Sequence, residues 1–342
     1  SYLLGLVGLI LLALPLVWPQ PPGYEEARIW LWLGPFSIQP GEFSKILLLI
    51  FFAQLLAQKR ALFTVAGRRF AGLTFPRLRD LAPILMVWAI AILIMAVSND
   101  FGPALLLFAT VLGMVYFATG RASWLAIGLA LVAIGGYAVY QVSSKIQERV
   151  SNFLDPFADF EGIGNQPANA LIGLSWGGIT GTGLGYGHPE LVPVAHSDYI
   201  LAALGEELGF VGIAAVLCLF GVFITRGFRT AMQARDSYGK LLASGLALTI
   251  AIQIFVVAGG VSAMLPMTGL TTPFMSAGGS SVMANYILLG LLLREDLDAR
   301  PHLLVGAASN AVRTDRIPVV TRSSTRRRAA ALLGETPVPE NR

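Results

Sequence analysis

The run KLLASGLALTIAIQIFVVAGGVSAML, residues 240–265, carries a single charge, on its first residue. A helix needs about 20 mainly apolar residues to cross the hydrocarbon core of a bilayer, with a range of roughly 17–25. This run is long enough, and it is not alone. Further stretches qualify or nearly qualify at about 2–18, 43–58, 81–97, 103–119, 123–142, 199–225 and 280–293. Those at 43–58 and 280–293 are short and can start or finish in the interface.

Composition agrees with this pattern. The 342 residues are 55% hydrophobic and 13% charged, with a mean hydropathy of +0.68, whereas soluble domains carry about 25% charged residues. Burial cannot account for the deficit, because a globule must still cover its surface with polar groups. Lipid as the solvent removes that requirement. The expected fold class is therefore all-α: a polytopic membrane protein of about eight transmembrane helices over residues 1–300. One large loop spans 143–197, and an Arg-rich tail occupies 301–342. The lone Cys218 lies in an apolar run, which excludes a disulfide framework and a cysteine-based metal site. Ser1 leads straight into an apolar run, with neither an initiator Met nor a basic n-region. From this we expect a cut chain with spans upstream.

The positive-inside rule orients the spans. Lys59, Arg60, Arg68, Arg69, Arg77 and Arg79 follow the second span, Arg121 the fourth, and Arg226, Arg229 and Arg235 the sixth. Arg294, Arg300, Arg313, Arg316, Arg322 and Arg326–Arg328 follow the eighth. Alternating spans place all of these on one side, the cytoplasmic one, and the 143–197 loop outside. The tail has no periodic apolar face and reads as disordered and cytoplasmic. No nucleotide-binding glycine loop is present, because the glycines of GGITGTGLGYG (177–187) follow no predicted strand and read as loop hinges.

Ionisable residues in or beside spans are costly and are the default functional candidates. Asp198, in AHSDYILAALGEELG, stands where the outer loop becomes the sixth span. Two roles fit it: an N-cap accepting backbone N–H bonds, or a general base at the membrane's outer edge. His196, two residues earlier, either tunes it or is an ordinary loop histidine. Glu206 and Glu207 lie deeper along the same predicted helix, where they need partners, protonation or a wet cavity. Their side chains point about 100° apart, so they form no catalytic dyad, and a structural role is favoured for at least one. Glu42 and Lys45 share a helical face at i,i+3 spacing, either as a plain ion pair or lining a polar cavity. Arg28 is a candidate for phosphate contact. Asn99 and Asp100 read as turn and cap residues at the outer end of the third span. No metal cluster, Ser-His-Asp triad or redox site is legible. The residues alone suit a transporter, a lipid-handling enzyme or a receptor.

Five motifs narrow this. GPFSIQPGEFSKILL (34–48), NDFGPALLLF (99–108), ERVSNFLDP (148–156), HSDYILAALGEELGFVG (196–212) and LPMTGLTTPFMSAGGSS (265–281) occur in one order. In that order they resemble the SEDS family (shape, elongation, division and sporulation), which includes RodA, FtsW and SpoVE. TTPF with AGG looks like the RodA-like actinobacterial branch. The chain departs from many relatives at Gly164–Asn165–Gln166, at Val257 and at Ser276–Ala277–Gly278–Gly279.

The resemblance implies ten spans, of which these are the last eight, and a peptidoglycan glycosyltransferase of the bacterial cytoplasmic membrane. Such enzymes polymerise lipid II into glycan strands at the outer face, for elongation and shape. The family's catalytic aspartate falls on Asp198, its cavity Glu/Lys pair on Glu42 and Lys45, and its arginine before Leu-Asp-Pro on Arg149. The implied reaction is attack of an acceptor sugar's 4-hydroxyl on the anomeric carbon of a donor bearing undecaprenyl pyrophosphate. Asp198 would take the proton, while Arg28, Lys45 or Arg149 stabilise the leaving group. Asp100, His196, Glu206 and Glu207 complete the candidate cavity residues. Family members work with a divalent cation, magnesium or manganese, and no organic cofactor. The implied partner is a class B penicillin-binding protein, a transpeptidase; nucleic acid is not expected. The alternatives are a lipid II flippase, an FtsW-like division polymerase, and a scaffold for the transpeptidase.

Overall fold

The computed structural model describes residues 2–21, 28–65, 67–70, 73–76 and 78–299, the side chains of 60–81 excepted. The Arg-rich tail and the side chains of the arginines from 60 to 79 lie outside the described residues.

The described residues form helices α1 (Tyr2–Val17), α2 (Pro40–Val65), α3 (Leu78–Val97), α4 (Phe101–Thr119), α5 (Ser123–Val142), α6 (Ser144–Leu154), α7 (Asn165–Gly177), α8 (Ile200–Gln233), α9 (Ser237–Val261) and α10 (Gly279–Ala299). Helices α2, α4, α5, α8 and α9 are each long and apolar enough to cross a membrane, and α1 and the Ala82–Val97 part of α3 are shorter apolar helices. Helix α10, with four acidic or basic residues near its end, falls where the eighth span was expected. The chain is mainly helical, but it also holds two short ribbons that the hydropathy pattern did not reveal. In these, β1 (Leu31–Leu33) pairs antiparallel with β2 (Phe36–Ile38), and β3 (Gly67–Phe70) with β4 (Leu73–Pro76).

Local chemistry explains several boundaries. Helix α2 opens on Pro40, whose fixed φ suits the first helical position. Helix α4 stops at Gly120, left-handed at φ +66, where its N–H closes onto the Tyr116 carbonyl. Asp236 caps α9 by accepting from the Gly239 N–H at 3.0 Å.

Helices α2 and α9 form the centre, with Phe52, Leu56, Leu246 and Ile250 fully buried. Helix α9 packs on α8, α4 and α2, while α1 covers α2. By contrast α5 buries only Ser123 and Gly128. A soluble protein would pay heavily for an apolar helix exposed almost all round, whereas lipid is a good solvent for it.

Helix α8 is not one rod. Gly209 has φ +68 and ψ −170, so the helix breaks into pieces 200–208 and 210–233. The glycine-rich segment after α7 docks into that break. Thr182 donates to the Glu206 carbonyl from both its N–H and its hydroxyl, each at 3.0 Å, and the Gly183 N–H donates to the Glu207 carbonyl at 3.0 Å. In return Phe210 N–H donates to Gly178 O at 2.9 Å and Val211 N–H to Ile179 O at 3.1 Å. Two carbonyls and two N–H groups freed by the break thus find partners, which matters because an unsatisfied backbone group in an apolar medium costs several kcal/mol.

Glu206 and Glu207 lie on the first piece of α8, just before the break. Glu206, 2% exposed, accepts the His188 N–H through Oε1 at 2.7 Å, and Glu207 Oε1 accepts the Gly185 N–H at 3.2 Å. Both carboxylates bind the docked segment. Their hydrogen bonds reach a loop rather than a neighbouring helix, and Gly177, Gly181 and Gly187 pack closely against this part of α8.

Candidate functional site

Asp198 precedes α8, but it is not the helix cap. Tyr199 occupies the N-cap position, with no side-chain cap bond. Asp198 Oδ1 instead accepts the hydroxyl of Ser197 at 2.9 Å. The capping role is therefore set aside, and Oδ2 remains available. Burial pushes the Asp198 carboxyl above the ordinary carboxylate range; the Ser197 hydroxyl and the Arg149 guanidinium oppose that shift without cancelling it. Burial also lifts the Tyr199 phenol to about 12, with the Asp198 charge adding to it.

Arg149 comes from α6, an eleven-residue amphipathic helix. Its i,i+3 and i,i+4 neighbours Asn152 and Phe153 share its helical face and line the same cavity of about 140 Å³. Asp198, Tyr199, Gln166 and Gly269 line that cavity as well. Arg149 Nη1 donates to the Thr268 carbonyl at 2.8 Å, which fixes the guanidinium. Burial draws its pKa down from the usual arginine value, against the pull of Asp198 and Asp100; a guanidinium stays protonated even so.

Gly269 separates base from cation. Its φ is +74, and a methyl group there would lie 3.1 Å from Arg149 Nη2 and 3.6 Å from Asp198 Oδ2. Only a glycine leaves the space in front of both groups open. A Gly269→Ala exchange forces a left-handed alanine, costing about 1–2 kcal/mol, and puts the methyl group against the guanidinium. The melting temperature is expected to fall by a few degrees, and a thermal melt of the purified protein checks this.

The other candidates divide. Glu42 and Lys45 form the expected i,i+3 ion pair, Nζ to Oε2 2.7 Å, both residues 6% exposed. Asp100 feels the charges of both this pair and Arg149. Its carboxyl is pushed up to about 6 by burial and by Glu42, against Lys145, Arg149 and Lys45. Asp100 stands at the N-cap of α4 yet makes no side-chain cap bond, so its cap role is positional only. Asn99, at φ +56, makes the turn before it, and its carbonyl accepts the Lys145 ammonium at 3.3 Å. Arg28 is not brought to Asp198. It is exposed, donates to Leu16 O at 3.4 Å, and borders a crevice with Asp100 and Gln39. The His196 ring lies in a separate groove with Glu207, and only its carbonyl serves the site, accepting the Ala277 N–H at 2.8 Å.

Sequence reasoning missed Thr268, Gly269 and the Ser197–Asp198 bond. The only signal was the glycine in LPMTGLTT, which a hydropathy reading treats as a loop residue. Among the described residues no three His, Cys, Asp or Glu side chains converge as a metal centre.

Apolar helices around a buried core, with a desolvated carboxylate and a fixed guanidinium lining one cavity, define a helical membrane protein with a polar site. The sequence matches the family described as cell cycle protein, FtsW/RodA/SpoVE, over residues 1–300. The chain belongs to that family. It is 52% identical over 301 residues to the peptidoglycan glycosyltransferase RodA of Mycobacterium tuberculosis, covering 88% of this chain and 64% of that relative. The chain thus spans less than two thirds of that relative's length. A chain solved in a study of polymerization and crosslinking by a peptidoglycan synthase complex superposes with a TM-score of 0.69 at 30% identity, over 87% of this chain and 81% of the other. The crystal structure of the Thermus thermophilus rod shape determining protein RodA gives 0.57 at 26% identity, over 87% and 77%.

Proposed function

We propose that this chain is the catalytic part of a RodA-like peptidoglycan glycosyltransferase that polymerises lipid II at the outer face of the cytoplasmic membrane. The observation that carries the reading is the open gap between Asp198 and Arg149 over Gly269. The acceptor 4-hydroxyl sits at Asp198 Oδ2 and gives up its proton as its oxygen attacks the donor's anomeric carbon. The anomeric carbon–oxygen bond to undecaprenyl pyrophosphate breaks, and Arg149 meets the charge that develops on the leaving group. A carboxyl whose pKa is raised by burial is a stronger base than an ordinary one, which suits that step.

Arg149 takes the anion-stabilising role ahead of Lys45, which Glu42 neutralises, and of Arg28, which is remote from the gap. Asp100 and the Glu42–Lys45 pair support Arg149 electrostatically. The active site is extracytoplasmic by the arginine distribution, which puts the loop holding Arg149 outside. A class B penicillin-binding protein that cross-links the product is the proposed partner, and the likeness to RodA and to a chain of a peptidoglycan synthase complex that polymerises and crosslinks supports both product and pairing.

The test is the full-length purified protein with fluorescent lipid II in vesicles. Glycan ladders that lysozyme digests are expected. Translocation of lipid II across the vesicle without polymer would instead make this a flippase, and neither product would leave a scaffold.

A further inference from the structure

One segment of chain, the linker between α9 and α10, touches both members of the site. At Thr268 it holds Arg149 through a carbonyl. Eight residues on, it holds the turn that carries Asp198. Ser276, 2% exposed, accepts the Thr272 N–H at 2.7 Å and donates its hydroxyl to the Ser197 carbonyl at 2.7 Å. A single hydroxyl can do both. Beside it the Ala277 N–H donates to the His196 carbonyl, so two successive carbonyls before Asp198 are tied to two successive linker residues. Ser197 then passes the constraint on, its own hydroxyl donating to Asp198 Oδ1.

The turn needs such a tie. Val194 has φ +57, a strained conformation for a β-branched residue that persists only where neighbours over-determine it. The linker is itself fixed from the helix side. Gln253 of α9, fully buried, donates to Thr271 O at 2.7 Å, and the Thr271 hydroxyl lies 2.8 Å from that of Ser281 on α10.

We propose that Ser276 is a positioning residue for Asp198, its hydroxyl strapping the α9–α10 linker to the turn that presents the catalytic carboxylate. This rests on the glycosyltransferase reading. Loss of the hydroxyl orphans the Thr272 N–H and the Ser197 carbonyl. The strained turn relaxes, water reaches Asp198, and the distance set against Arg149 is lost.

The experiment compares full-length wild type, Ser276→Ala and Ser276→Thr in lipid II polymerisation across pH, with melting temperatures and with hydrogen exchange of residues 194–199. In Ser276→Ala the kcat is expected to fall about 10- to 100-fold with KM within about twofold. Its acidic limb moves to lower pH, because burial holds the Asp198 carboxyl up and hydration releases it. The turn exchanges faster. Ser276→Thr, which keeps the hydroxyl, restores the rate and the limb. Unchanged kcat and limb in Ser276→Ala overturn the proposal, as does equal impairment of the Ala and Thr variants with a matching fall in melting temperature, which is a packing role. If the wild type makes no glycan, the parent reading fails by itself. The exchange measurement then decides the strap, and unaltered exchange in Ser276→Ala overturns it.

Discussion

Asp198→Asn is expected to lower lipid II polymerisation by about 10²- to 10⁴-fold, the usual contribution of a positioned base, with no loss of thermal stability. The amide keeps the shape of the side chain, and its oxygen can still accept the Ser197 hydroxyl. Helix α8 loses nothing, because Asp198 does not cap it. A neutral amide also avoids the burial penalty that raises the Asp198 pKa, so the melting temperature should hold or rise slightly. The wild-type rate should show an acidic limb displaced above the ordinary carboxylate range. The active form is the carboxylate, so activity is lost as pH falls through that raised pKa and is retained above it. Single-turnover assays across pH, run beside thermal melts, read both quantities. A variant that polymerises normally would remove Asp198 from the chemistry.

Much of this site was legible from residues, and what was legible follows a physical rule. Spans announce themselves because about 20 apolar residues in succession leave few alternatives, and the helices found lie where those runs lie. The Glu42–Lys45 pair was legible because i,i+3 spacing is a local property of a helix. Asp198 stood out by its place where the outer loop meets a span, and Arg149 only through its motif. Nothing local shows whether an aspartate before a helix caps it, and Tyr199 taking the cap position set that role aside. Arg28 and His196 were wrongly grouped with Asp198, because nearness in sequence or along a loop says little about which cavity a side chain enters. Gly269 and Ser276 were invisible as site residues for the same reason. Their partners, Arg149 and Ser197, are far away in the chain.

The break in α8 is the clearest case of a feature that sequence periodicity conceals, and it supports a stability prediction. GEELGFVGIAAVL reads as uninterrupted helix because one glycine inside an apolar run is tolerated at about 1 kcal/mol. What stabilises the break is supplied by residues about 30 positions earlier, the segment that meets the free carbonyls of Glu206 and Glu207 and the free N–H groups of Phe210 and Val211. Gly209→Ala should therefore destabilise the protein by about 3 kcal/mol or more. Backbone at φ +68, ψ −170 is open essentially to glycine alone, and strain there costs about 1–3 kcal/mol. A Cβ would in addition collide with Gly181 N and Ile179 O, which must separate and so give up bonds of the docked segment. Gly221→Ala, in the regular part of the same helix with open space around it, is the internal control. There alanine should stabilise by roughly 0.5–1 kcal/mol, since it only removes the entropic cost of glycine in a helix. Melting both variants in the same detergent gives the contrast. Opposite signs are expected, and equal effects at the two positions would mean that the break does not constrain the fold.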